Sequence, residues 1–358
     1  MRSQNVNSLL PRFVTAANGV PGEHHIHIEG ALTPELLFKL ASSNAVQLPT
    51  DDPAFRSVAS LHQRYSEFAS LDDFLHYYYI GMSVLVTTSD FEALACDYFE
   101  HAARDGVAHA EVFFDPQAHL VRGVSYKAIL AGFKIAQAHA FEKFGITSEL
   151  ICCFLRHLPV TDSLATFNLS ELQTSIRCGE VVGIGLDSSE NGFPPTLFKD
   201  IYQQAKALGI RRTAHAGEEG PPSYIRDALD TLEVGRIDHG IRLANDPALL
   251  ERVAAQKTLL TVCPWSNVFL KGAKSVSELP IRLFLDAGVQ FSINSDDPAY
   301  FGNHYILDNY CAVQDAFGLS AQEWKSICEA SIHGSWCDEP RKQQLLSKLE
   351  AVIADHQH

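Results

Sequence analysis

Short apolar stretches rich in β-branched and aromatic residues alternate along the chain with longer stretches whose apolar positions recur every three or four residues. The short stretches are His24–Ile28, His109–Phe114, Leu150–Leu155, Val181–Leu186, Ile210–His215, Arg236–His239, Leu259–Cys263 and Gln290–Asn294, and they run into polar or glycine-containing turns. That pattern predicts buried strands. Between them, Thr196–Leu208 puts Leu197, Ile201, Ala205 and Leu208 on one helical face, and Tyr126–Phe144 and Pro247–Ala255 repeat the spacing. Strand and helix alternating in this way predict an α/β fold, a closed (β/α)8 TIM barrel whose chemistry sits on the loops after the strands' C-terminal ends. An open doubly wound sheet is the rival arrangement.

The rhythm breaks once, between the first and second strands. Pro34–Ser42, Leu71–Thr88 and Ser89–Asp105 read as aromatic and aliphatic helices, so residues from about 33 to 106 are expected to form a helical lid over the barrel mouth. The chain from 1 to 358 then reads as a single barrel domain with that insertion. A lid would exclude water from the site. Ser320–His358 also reads as helix.

Composition narrows the function. The 358 residues are 46% hydrophobic and 20% charged, enough for a sizeable core. Acidic residues outnumber basic ones 43 to 28, a formal charge of −15, which disfavours a nucleic-acid partner. The longest apolar run, Tyr77–Val86, is far short of the roughly 18 to 20 residues that span a bilayer, so no membrane partner is expected. The eight cysteines form no CxxC pair and follow no secretory signal. A reducing, cytoplasmic setting is expected, with a nuclear one also compatible. Residues 1–22 carry Arg2 and Arg12 and no acid, a faint likeness to an organellar transit peptide. The plainer expectation is a lead-in helix or loop around Leu9, Leu10 and Phe13.

The sharpest chemical signal is His25 and His27, which stand two apart on the first strand, face the same way and can converge on one ion. An HxH pair alone has many innocent occurrences. Here, however, His215 closes the fifth strand, His239 the sixth and Asp296–Asp297 the eighth, so separate strand ends deliver ligand-type residues to one rim. His25, His27, His215 and Asp296 offer three neutral imidazoles and a carboxylate, a set that suits one zinc ion with room for water. Cobalt or iron would accept the same ligand types. Such a metal acidifies its water and needs no covalent enzyme intermediate. Glu218, across a glycine turn from His215, and His239 stand where an acid and a base are needed. Their plain alternatives are a carboxylate at a helix N-terminus near Pro221–Pro222 and a satisfied buried histidine.

In order, HHIHIEGAL (His24–Leu32), EVFFDPQ (Glu111–Gln117), VVGIGLDSSE (Val181–Glu190), HAGEEG (His215–Gly220), RIDHGIR (Arg236–Arg242), TVCPWSN (Thr261–Asn267) and SINSDDPAYFG (Ser292–Gly302) appear along the chain. The series resembles the adenosine and adenine deaminase family of metal-dependent amidohydrolases, from about residue 20 to 345. The resemblance implies a (β/α)8 barrel with one zinc and hydrolytic removal of the 6-amino group of a purine. It implies zinc on His25, His27, His215 and Asp296, the proton-donating acid at Glu218, the water-orienting base at His239 and an N7 contact at Asp297. The PCxxC signature of the other type of nucleobase deaminase is missing from the sequence.

Two departures resemble the adenine deaminase branch. Adenosine deaminases usually read HxHLDG with an AGDE-like turn after the fourth strand, whereas this chain has Ile28-Glu29-Gly30 and Asp187-Ser188-Ser189-Glu190. Glu29, one methylene longer than aspartate, is expected to fill room that a ribose would need. Ser188 stands where family members contact the N3 edge, and Glu190 is expected to cap the next helix. The expected activity is therefore adenine deamination to hypoxanthine and ammonia, serving purine salvage. The partners are the purine base and water, with no organic cofactor, and a homo-oligomer is left open. The rivals are deamination of adenosine or of an N6-substituted, cytokinin-like adenine, and, from another class, a catalytically silent purine-binding or signalling relative.

Overall fold

The structure, a computed structural model, describes residues 22–356. The segment expected to lead in, with its faint likeness to a transit peptide, lies outside the described residues apart from Gly22. Eight strands follow in chain order: β1 (Gly22–His27), β2 (His109–Phe114), β3 (Thr147–Leu155), β4 (Gly183–Asp187), β5 (Arg211–Ala216), β6 (Arg236–His239), β7 (Leu259–Val262) and β8 (Phe291–Ile293). Each pairs in parallel with the next. Beyond β8 the chain returns to β1, where His27 N–H donates to Asp296 O at 3.1 Å and Asp296 N–H to His25 O at 3.0 Å. The sheet closes as a (β/α)8 barrel.

Strand alternation explains why β1 carries chemistry. Ile26 and Ile28 belong to the large core around the barrel, whereas His25 and His27 face inward, each with its ring 5.0 Å from that of Phe113. Phe113 packs with Ile151 and Cys153 inside the barrel, above Trp336. The β4–β5 ladder covers only Gly183–Arg211 and Ile184–Arg212, so the C-terminal parts of these strands lack mutual backbone pairing. The buried Arg156 side chain serves this region, donating to His215 O at 2.9 Å and Phe193 O at 3.0 Å.

The stretch between β1 and β2 holds helices Pro34–Ser43, Val58–Tyr65, Leu71–Met82 and Thr88–Arg104. The helix expected to run from Leu71 to Thr88 stops at Met82, because Thr87 and Asp90 form a capping box that starts the next one. The tail likewise divides into Ala321–Gly334 and Glu339–His356, and Trp336 in the break reaches the barrel's N-terminal end. No helix among the described residues is long and apolar enough to cross a membrane.

Candidate active site

At the C-terminal ends of the strands lies a small cavity with about 370 Å³ of empty space, part of it open to solvent. Its polar lining comes from β1, β2, β4, β5, β6 and the turn after β8, and its apolar lining includes Leu71, Phe74, Leu75, Tyr78 and Tyr79 of the helix Leu71–Met82. Phe68, just before that helix, packs behind these residues on Tyr65 and Phe74. Ser188, His239 and Asp296 all adopt left-handed φ, at 72°, 59° and 67°. For non-glycine residues this costs about 1–3 kcal/mol each, and it turns three strand ends sharply toward the cavity.

Five side chains converge there. His25 Nε2 stands 3.2 Å from Asp296 Oδ1, His27 Nε2 stands 3.5 Å from the same oxygen and 3.2 Å from His215 Nε2, and His239 Nε2 stands 3.5 Å from Asp296 Oδ2. Neighbouring groups fix the rings. Thr261 Oγ1 donates to Asp238 Oδ1 at 3.1 Å, so its 2.8 Å contact with His25 Nδ1 is an imidazole N–H donating to the hydroxyl. A lone pair is thereby left on His25 Nε2, which is buried with no hydrogen-bond partner. Asp238 also accepts from Thr213 Oγ1 and faces His215 Nδ1 at 3.5 Å. Burial would raise Asp238, but the His215 contact outweighs it and holds the carboxylate below its usual range. Burial likewise opposes protonation of His215, and Asp238 reverses that. Sequence reasoning missed Asp238 because it reads as an ordinary inward strand residue.

The donor set fits a divalent metal. The ligand atoms of His25, His215, His239 and Asp296 lie within 4.8 Å of one another, as do those of His27, Asp115 and Asp187. Of the four expected ligands, His25, His215 and Asp296 fall in the first set with His239, and His27 stands beside it, 3.5 Å from Asp296 and 3.2 Å from His215.

Glu218 is presented by a turn that buried charge holds in shape. Gly217 has φ +77°, a conformation that suits glycine. Glu190 accepts from the backbone N–H groups of Gly217 (3.3 Å), Glu218 (3.4 Å) and Gly220, and Arg156 Nη1 stands 3.8 Å from Glu190. Glu190 thus braces the Glu218 turn and does not cap the next helix, whose N-cap is Phe198 without a side-chain cap. Glu218 Oε2 ends 3.6 Å from His239 Nε2. Burial, reinforced by Asp296 and Glu190, pushes the Glu218 carboxyl well above its ordinary value, while burial holds His239 well below its own.

Asp297 lines the cavity, and burial with Asp296 beside it pushes it far up. It is seated against Gly30, where a Cβ would stand 2.1 Å from Asp297 Oδ1. Ser188 also lines the cavity, its hydroxyl held by Tyr79 (3.1 Å) and His157 (2.7 Å). Glu29 is a correction: it is fully buried and absent from the cavity wall. The short turn Ile28–Ala31 sends its carboxylate beneath β2, to Asp115 N–H at 3.2 Å and His119 Nε2 at 2.9 Å. The wall is formed instead by Asp115 and Asp187. Burial and then the charge of Glu29 raise Asp115 to about 7, and burial with Asp115 raises Asp187 well above its ordinary value.

The profile of the family described as Adenosine deaminase matches residues 21–352. An adenine deaminase of Gibberella zeae is 52% identical over 331 residues, covering 92% of this chain and 93% of its own. One of Schizosaccharomyces pombe is 52% identical over 334 residues, covering 93% and 91%. The crystal structure of an adenine deaminase from Arthrobacter aurescens superposes with a TM-score of 0.88 at 40% identity, covering 94% of this chain and 99% of that one. A zinc-bound amidohydrolase from Burkholderia ambifaria gives a TM-score of 0.85 at 26% identity, covering 99% and 96%. The chain belongs to the adenosine deaminase family of metal-dependent enzymes.

Proposed function

We propose that this protein is an adenine deaminase, converting adenine and water to hypoxanthine and ammonia in purine salvage. The observation that carries the reading is Glu218: a buried carboxyl with a raised pKa, 3.6 Å from His239, at the edge of a His/Asp cluster. N1 of adenine is a hydrogen-bond acceptor, so only a protonated acid can serve it, and this carboxyl is built to keep its proton. The adenine deaminases above, about half identical over nearly the whole chain, support the same substrate.

His25, His27, His215 and Asp296 would hold the metal, which we assign as one zinc per chain from the imidazole-rich donor set and the zinc-bound relative. When bound, such an ion supplies the Lewis acidity that makes water a nucleophile at neutral pH. The 3.2 Å approach of His27 Nε2 to His215 Nε2 favours His27 as the fourth ligand, since two imidazole nitrogens this close need a shared proton or a shared cation. His239 alone faces both Asp296 and Glu218, which suits the base.

His239 orients the attacking water and accepts its proton, and Glu218 delivers a proton to N1 as the nucleophile adds at C6. The proton taken by His239 passes to the 6-amino group, which leaves as ammonia, while the 6-hydroxyl proton returns to Glu218 and the ring is left as hypoxanthine. Protonated Asp297 donates to N7, and Ser188 contacts the N3 edge. The helices between β1 and β2 act as the lid, with Leu71, Phe74 and Tyr78 closing over the base. A formal net charge of −15 suits an uncharged base that needs no basic surface, and we place the enzyme in the cytoplasm.

The test is release of ammonia and hypoxanthine by the purified zinc protein offered adenine, adenosine and N6-isopentenyladenine. Adenine is expected to react fastest. Preference for either other purine would replace the substrate assignment, and zinc-loaded protein that releases no ammonia would point to a silent binding relative.

A further inference from the structure

Asp115 and Asp187 are the part of the cavity wall that the proposed chemistry does not use. They are 1% and 2% exposed and both line the cavity. The Asp115 and Asp187 carboxyls face each other closely enough to share a proton, and no other donor among the described residues hydrogen-bonds either oxygen of Asp187 or Oδ1 of Asp115. His27 Nδ1 stands 3.5 Å from Asp187 Oδ2. The ligand atoms of Asp115, Asp187 and His27 lie within 4.8 Å of one another. Buried carboxylate oxygens aimed into a cavity without donors are costly unless a ligand supplies one.

Strand order says which edge of a ligand they meet. Asp115 and Asp187 leave the ends of β2 and β4, whereas His239 and Asp297 leave the ends of β6 and β8, across the barrel mouth. A purine with C6 toward Glu218 and His239 turns the far side of its imidazole ring toward the β2–β4 arc. The common tautomer of adenine carries its imidazole hydrogen there, on N9. We infer that Asp115 and Asp187 form the acceptor that recognises the N9–H of a free purine base and thereby reject purines substituted at N9. This deepens the adenine deaminase reading and rests on its orientation of the base.

The acceptor is fixed in place. Glu29 takes the backbone N–H of Asp115 and contacts His119 Nε2 at 2.9 Å, and Arg122 reaches His119 Nδ1 at 2.7 Å. A nucleoside brings carbon where the carboxylates need hydrogen, so it loses the bond and leaves buried acceptors unpaired. Sites built on a required hydrogen bond reject analogues lacking it far more strongly than apolar pockets reject extra bulk.

The experiment is calorimetric binding of hypoxanthine and 9-methylhypoxanthine to the zinc protein, wild type against Asp115→Ser and Asp187→Ala, with zinc content measured in each. Wild type is expected to prefer hypoxanthine by about 100-fold or more. Each variant should compress that ratio to about 10-fold or less, mainly by weakening hypoxanthine. Asp115→Leu fills the side-chain volume, carries no acceptor and is read the same way should the smaller variants not fold. Equal weakening of both ligands, or an unchanged ratio, would overturn the inference. So would a second equivalent of metal that is lost in the variants, because the carboxylates would then be ligands. Ammonia release from adenine is scored separately: a protein that fails there but shows the ratio and its collapse loses the deaminase reading and keeps the N9–H acceptor.

Discussion

At the N-terminal end of the barrel, Glu111 is as buried as any carboxyl at the mouth, yet both its oxygens are occupied. Oε2 takes Arg236 Nη2, and Oε1 takes Ser335 Oγ at 2.9 Å and the backbone N–H of Trp336. The Arg236 guanidinium also lies 4.3 Å from the Trp336 ring. Burial would raise Glu111, and Arg236 outweighs it and holds the carboxylate well below its usual range. At the mouth, Glu218, Asp297, Asp115 and Asp187 are also buried and no arginine among the described residues pairs with them closely; burial pushes all four upward. Glu23 lies between these cases: Tyr98 and Ser295 saturate its oxygens, but without a cation it still rises to about 7. At Glu23 hydrogen bonds do not offset the effect of burial, whereas at Glu111 the Arg236 cation does. The compensated end serves stability, and the uncompensated end is where a ligand's donors and acceptors can enter.

That contrast can be broken by removing one charge from each end. Glu218→Gln should cost about 10²- to 10⁴-fold in kcat, with zinc content and urea stability preserved. Arg236→Met should do the reverse, costing about 3–5 kcal/mol of unfolding free energy while the folded fraction keeps its KM for adenine. A stability loss in the first variant, or a KM change in the second, would blur the division between the two ends.

A smaller effect concerns pH. Asp115 has a folded value of about 7 against an ordinary 3.8, so its stabilising contribution is complete below about pH 3.8 and disappears as pH rises through 7. Asp115→Asn, which cannot ionise, should lose less stability than wild type between pH 5 and pH 8 in urea titrations. Smallest of all, Glu29→Asp should shift the adenine-to-adenosine ratio only slightly, because Glu29 lies behind the wall. A large gain in adenosine turnover would restore it as the discriminating residue.

Strand positions were readable because each run ends in a polar or glycine turn, and the five converging ligand-type residues because inward alternation and strand ends are periodic signals. What escaped depends on distant partners. Glu190 looks like a turn carboxylate until the backbone of residues 217–220 folds onto it, and Arg156 looks like a loop cation until the β4–β5 ladder stops short. Asp115 precedes a proline at a helix start and reads as a capping residue, although its side chain makes no cap and faces the cavity instead. Glu29 misled because a single short turn decides whether its side chain faces the purine or the back of β2.

The most direct test of the contrast is a crystal structure of the zinc protein with hypoxanthine bound. The account predicts hydrogen-bond contacts from Glu218 to N1, Asp297 to N7 and Asp115 or Asp187 to the N9 edge, with Glu111 still on Arg236. A purine seated away from these carboxyls, leaving them as unpaired as before, would contradict it.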